Sequence, residues 1–177
     1  IAFQMGSLVY TSRNELAKFA IKNEFDYVFW LDSDMVFDDD ILIRMMAKLQ
    51  EQDLDMLTGL YFRRVMPYSP VLFDELSLSK TTWKWSNFET IPEHGLFEVG
   101  GCGFGCVLMS TDVLMSVQGK HRQMFHPLNN GGEDLSFCWR ARNCGYKILC
   151  DPEIVCGHVG YAVVNDAFYR NYQKGAN

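Results

Sequence analysis

Apolar and polar side chains along the chain alternate between two periodicities. Residues 12–23, SRNELAKFAIKN, set Leu16, Phe19 and Ala20 on one side of a 3.6-residue repeat, with Ser12 and Glu15 at capping-box spacing, and predict a helix. Residues 26–32, DYVFWLD, form an unbroken β-prone run, the pattern of a strand covered on both faces. In DDDILIRMMAKLQEQ, residues 38–52, Leu42, Met45, Met46 and Leu49 recur at i, i+3, i+4 and i+7, behind three aspartates at the favourable end of a helix dipole. DMLTGLYF reads as strand again.

Residues 65–98 lose this periodicity, carry Pro and Trp, and predict short antiparallel strands and loops. FGCVLMS predicts a strand and TDVLMSV a short helix. EDLSFCWRARNCGYKIL predicts a helix stopped at Gly145 and followed by a strand. Alternating helix and strand imply an α/β fold, a mostly parallel Rossmann-like sheet flanked by helices, with a small antiparallel segment in the middle. No repeat or linker interrupts it, so residues 1–177 are expected to form one domain.

Composition narrows the class. Nearly half the residues are apolar or aromatic, enough for a packed core. The formal charge of −6 argues against a nucleic-acid backbone as partner and for an acidic site that recruits a cation. No apolar run is long enough to span a bilayer, and the N-terminal residues lack a signal-peptide layout, so a cytoplasmic protein without a membrane span is expected. The six cysteines show no C-x-x-C spacing and fall at apolar positions, which predicts buried, reduced thiols.

Candidate chemistry begins where the strand DYVFWLD runs into Asp32, Ser33 and Asp34. In open α/β sheets ligands bind beyond the carboxyl ends of the strands. Two carboxylates one residue apart in an extended segment face the same way, and they repel unless something positive compensates them; a divalent metal is the simplest compensation. The alternative is a solvated acidic loop, which is the reading taken for Asp38 to Asp40. A hundred residues on, Gly131 and Gly132 form a turn before Glu133 and Asp134. That acid pair reads either as ordinary helix capping or as a general base held beside a cleft. His158, between glycines after a strand, reads by itself as a core or surface histidine more readily than as a ligand.

Taken in order, SRNELAKFA, FDYVFWLDSDMVF, TGLYFRR, GGCGFGCVLMSTDVL, GGEDLSFCWRARNCGYKI and GHVG resemble the GT-A-fold glycosyltransferases, in particular the short, family-two-like enzymes of bacteria and phages. The resemblance spans about residues 7–160. It implies that Asp32 and Asp34 are the Asp-x-Asp pair that holds Mn²⁺ or Mg²⁺ against the diphosphate of a nucleotide-sugar, with His158 completing the coordination. It implies that Asp134 is the base that deprotonates an acceptor hydroxyl in an inverting transfer, with Glu133 as its neighbour. Arg13, Ser33, Gly101 and Gly103 fall where the donor would lie, although Arg13 also suits a solvated helix face and the glycines a bulge or turn. Trp83, Trp85 and Gly132 are candidates for the acceptor side, a glycan, protein or other hydroxyl compound, and no specific nucleic-acid binding is expected beyond a modified base as acceptor; the indoles suit core packing equally well. Such enzymes open with a further strand, whereas only a few residues precede the SRNELAKFA helix here. Two other functions fit LDSDMV: a phosphohydrolase of the haloacid-dehalogenase type with Asp32 as nucleophile and Asp34 as acid/base, and a non-catalytic nucleotide-sugar-binding module.

Overall fold

A computed structural model describes residues 8–160 and 163–175. Helix α1 (Val9–Lys22) starts upstream of Ser12, with Leu8 at its N-cap; the expected capping box therefore lies inside the helix, where Glu15 pairs with Lys18 at 3.1 Å. Strand β1 (Tyr27–Leu31) leads through a tight turn to β2 (Met35–Val36). Helix α2 (Ile41–Glu51) buries Ile41, Met45 and Leu49, a face rotated from the expected one, so that Leu42 stays exposed. Strand β3 (Met56–Leu60) is buried throughout.

The aperiodic middle holds β4 (Leu72–Phe73), the hairpin of β5 (Leu76–Ser79) and β6 (Thr82–Trp85), and β7 (Phe97–Val99), with β4 pairing antiparallel to β8 (Gly101–Cys102). Then come β9 (Cys106–Ser110), α3 (Thr111–His121), α4 (Glu133–Asn143), β10 (Ile148–Val155), β11 (Gly157–His158) and α5 (Asp166–Gly175). Between α4 and β10 the chain turns at Gly145, whose φ of +98° lies in the region glycine adopts without strain.

The main sheet runs β1-β9-β3-β10-β7 and corrects the expectation of mostly parallel strands. β3 and β10 pair in parallel, while β9 lies antiparallel between β1 and β3, and β7 antiparallel on β10. β1, β3 and β10 therefore point the same way although only two of them touch. β1 is the edge strand of the sheet, yet both its faces are covered: Val28 and Trp30 pack into one core and Phe29 and Leu31 against the other, while Tyr27 at its start is exposed.

Alternate residues feed two cores, as the pleat of a strand dictates. From β3 and β9, Met56, Leu60, Val107 and Met109 join Phe104, Phe125 and Phe137 beneath α1, α3 and α4. From the same strands Leu57, Cys106 and Leu108 pack on the other face against Met45 and Leu49 of α2. All six cysteines are free thiols, five of them buried. Among the described residues no helix is long and apolar enough to cross a membrane.

Candidate functional site

The carboxyl ends of the three co-directional strands and the start of β9 meet at one edge of the sheet. From β1 come Asp32 and Asp34, from β3 Tyr61 and Arg64, and from β10, through β11, His158; Gly103 to Gly105 lead into β9. β2 and β11 pair across this edge, setting His158 opposite Met35. The first turn of α4 adds Glu133 and Asp134.

Asp32, Ser33 and Asp34 are not extended. The Met35 N–H closes a turn onto the Asp32 carbonyl at 3.2 Å, and the Asp32 N–H is donated to the Gly105 carbonyl at 3.2 Å. The turn aims the two carboxylates at different partners. Arg13 donates from Nη2 to both oxygens of Asp32, at 3.1 and 3.2 Å, and its Nε lies 3.9 Å from Oε1 of Glu133. Its guanidinium also stands 5.0 Å over the Phe104 ring. Arg13 is only 7% exposed, so it is no solvated helix-face residue, and its Nη1 is buried without a hydrogen-bond partner. One buried cation thus joins an acid at the end of β1 to an acid a hundred residues later.

Asp34 is compensated separately. Its Oδ2 lies 2.8 Å from Nη1 of Arg64 and 3.4 Å from Nε2 of His158. The other imidazole nitrogen, Nδ1, is 2.9 Å from the Phe62 carbonyl. A carbonyl only accepts, so Nδ1 carries the proton, and in the neutral ring Nε2 presents its lone pair to a carboxylate oxygen. Two acceptors face each other there stably only when a proton or a cation joins them. A backbone-anchored Nδ1–H with Nε2 turned towards a carboxylate is also how proteins hold an imidazole for metal ligation.

Burial pushes the Asp32 carboxyl above the ordinary aspartate range; Arg13 opposes the rise, while Asp34 and Glu133 add to it. Asp134 moves the same way, through burial first and the Glu133 charge second, although its Oδ1 accepts the Leu135 N–H at 2.7 Å. Tyr61 is buried beneath the site: its hydroxyl oxygen accepts the Gly105 N–H at 3.1 Å, and its ring meets His158 edge to face. Burial drives its phenol far above the usual tyrosine range.

The fold thus brings together Arg13, Asp32, Asp34, Glu133, Asp134 and His158. Ser33 is exposed at the tip of the turn. Gly101 and Gly103 are buried, and side chains occupy the space their Cβ atoms would fill: Leu76 Cδ2 stands 2.8 Å from a Cβ at Gly101, and the Tyr61 phenol and Val71 crowd Gly103. These glycines admit neighbouring side chains rather than opening backbone to a ligand. Trp83 is half-buried and donates its indole N–H to the Leu128 carbonyl at 2.8 Å, while Trp85 is exposed. Gly132 is the exposed N-cap of α4, and at Gly131 a Cβ would run into the Trp83 indole. Among the described residues no group of three or more His, Cys, Asp or Glu side chains is gathered closely enough to hold a metal ion; two donors, Asp34 and His158, converge, and Asp32 turns to Arg13. Tyr61 was not among the expected site residues; Arg64, like Arg63, follows the strand MLTGLYF, a place from which a guanidinium reaches phosphate or stands as a solvated charge, and the fold pairs it with Asp34.

The chain shares its fold with A197 from STIV. The crystal structure of that protein superposes with a TM-score of 0.65 at 19% sequence identity, over 90% of this chain and 72% of that one. No family model matches the chain, and no curated protein matches its sequence. At that identity the likeness shows the α/β fold and nothing about chemistry.

Proposed function

We propose that the protein is a glycosyltransferase that moves a sugar from a nucleotide-sugar to an acceptor hydroxyl with inversion, and that Asp134 is its general base. The observation that carries this reading is the Asp32–Arg13–Glu133 bridge, which brings the Asp-Ser-Asp turn and the Glu-Asp pair together around one guanidinium. Asp34 and His158 would be the two protein donors to a divalent cation, Mn²⁺ or Mg²⁺, by the anchored tautomer of the imidazole and the carboxylate beside it, while Asp32 stays with Arg13. When bound, such a cation supplies Lewis-acid neutralisation of the charge on a departing diphosphate.

The protein's own groups do the rest. Asp134, raised by burial, is a stronger base than an aspartate in water, so it accepts the acceptor's proton as that oxygen attacks the anomeric carbon. Attack on the face opposite the leaving group inverts the centre. Arg13 fixes the spacing between Asp32 and Glu133, and its buried Nη1, left without a hydrogen-bond partner, keeps positive charge between the two acids. Tyr61 holds the Gly105 backbone and the His158 ring in place.

The test is thermal stabilisation by a panel of nucleotide-sugars with and without Mn²⁺. A ligand of the folded state at ~100 times its Kd adds ~2.7 kcal/mol. A shift that needs both sugar nucleotide and metal, and that Asp34→Ala abolishes, supports the transferase; no shift with any donor overturns it.

A further inference from the structure

Oδ2 of Asp34 receives two groups at once, the Arg64 guanidinium at 2.8 Å and the His158 imidazole at 3.4 Å. Arg64 is half-exposed, and among the described residues its other hydrogen bond is a 3.5 Å approach of Nη1 to the Val159 carbonyl. It stands on the segment that leaves β3, beside Arg63, at the edge where the three strand ends meet. A divalent ion on Asp34 and a guanidinium on the same oxygen are like charges in contact, so one displaces the other. A long, solvent-facing arginine held by one carboxylate moves at little cost, and its planar fork matches phosphate oxygens.

We propose that Arg64 is an exchangeable counter-ion: in the free protein it neutralises Asp34 and opposes metal binding, and when metal and donor enter together it transfers to the donor's diphosphate. This rests on the transferase reading. Metal and diphosphate then help each other bind, because the metal releases the arginine that the diphosphate takes up, and the coupling is reciprocal. Arg64 becomes a donor-binding residue whose contact exists only in the loaded state.

Isothermal titration of the full chain with Mn²⁺ alone, and with UDP, GDP, ADP and CDP at saturating Mn²⁺, tests this in wild type, Arg64→Gln and Arg63→Gln, after unfolding curves establish that each variant is folded. Arg64→Gln should bind Mn²⁺ alone about 2- to 5-fold more tightly, the range for releasing an exposed ion pair. It should bind the preferred diphosphate about 10-fold more weakly through loss of a charge-assisted contact. Arg63→Gln, which removes the same charge next door, should do neither. If Mn²⁺-dependent diphosphate binding occurs and Arg64→Gln leaves both affinities unchanged, or weakens both, the counter-ion role is overturned and the transferase reading stands. Were no protein to bind Mn²⁺ or any diphosphate, both would fall together.

Discussion

Asp134 ionises reluctantly because burial and the adjoining Glu133 charge disfavour its carboxylate. Asp134→Asn should slow sugar transfer by ~10²–10⁴-fold while leaving donor affinity intact, measured as kcat against KM. The wild-type rate should climb with pH through an inflection above the ordinary aspartate value of 3.8. The same shift has a stability sign. A folded-state pKa raised above the unfolded one gives stability that is complete below the unfolded pKa and lost as pH rises through the folded pKa. Asp134→Asn, neutral at every pH and still able to accept the Leu135 N–H, should therefore melt higher than wild type at neutral pH and lose that advantage near pH ~4. Arg13→Gln should cost stability at the lower end of the ~1.5–3 kcal/mol typical of charged hydrogen bonds, since 46% of the Asp32 side chain is exposed, read from urea unfolding. Asp32, Asp34, Glu133, Asp134 and His158 were legible as candidates because acids at a strand end, acids at a helix start and a histidine between glycines stand out along the chain. The pairing of Arg64 with Asp34 was not, because an ion pair between residues 34 and 64 depends on strand ends meeting in space.

At the scale of elements, the α4 start depends on Trp83. Its indole lies against Gly131 and bonds the Leu128 carbonyl, so the β5–β6 hairpin braces the turn that presents Glu133 and Asp134. Gly131→Ala should force the indole off its position, destabilise the fold by ~1–3 kcal/mol, and lower activity together with stability, measured by denaturant midpoints and turnover on the same preparations. The elements themselves were largely readable: α1, α2, α3 and α4 and the strands at 27–31, 56–60, 106–110 and 148–155 follow the apolar pattern. Strand direction was not, because an apolar run has the same appearance whichever way it points. The alternation of helix and strand suggested parallel crossovers, but β7, β8 and β9 follow one another without a helix between them, and β9 returns antiparallel between β1 and β3. The Asp-Ser-Asp turn escaped for a related reason: two acids beside a strand look extended until a backbone hydrogen bond closes them.

Across the whole molecule, the larger core is stitched by aromatic rings. Phe125 and Phe137 stack at 4.4 Å between centroids, and Phe104 meets both edge to face. Phe137→Ala should cost ~3–5 kcal/mol and lower Tm by roughly 6–20 °C, read by calorimetry. The two-sided sheet also bears on how the chain comes off the ribosome. Residues of β1 and β3 are made first, yet they never pair with each other; their common neighbour, β9, is completed only at Ser110, some fifty residues after Leu60. At ~5–20 residues per second that is an interval of ~3–10 s during which two apolar strands have open edges and nothing to close them. A nascent chain stalled before Ser110 should accordingly be the one that chaperones hold and proteases cut.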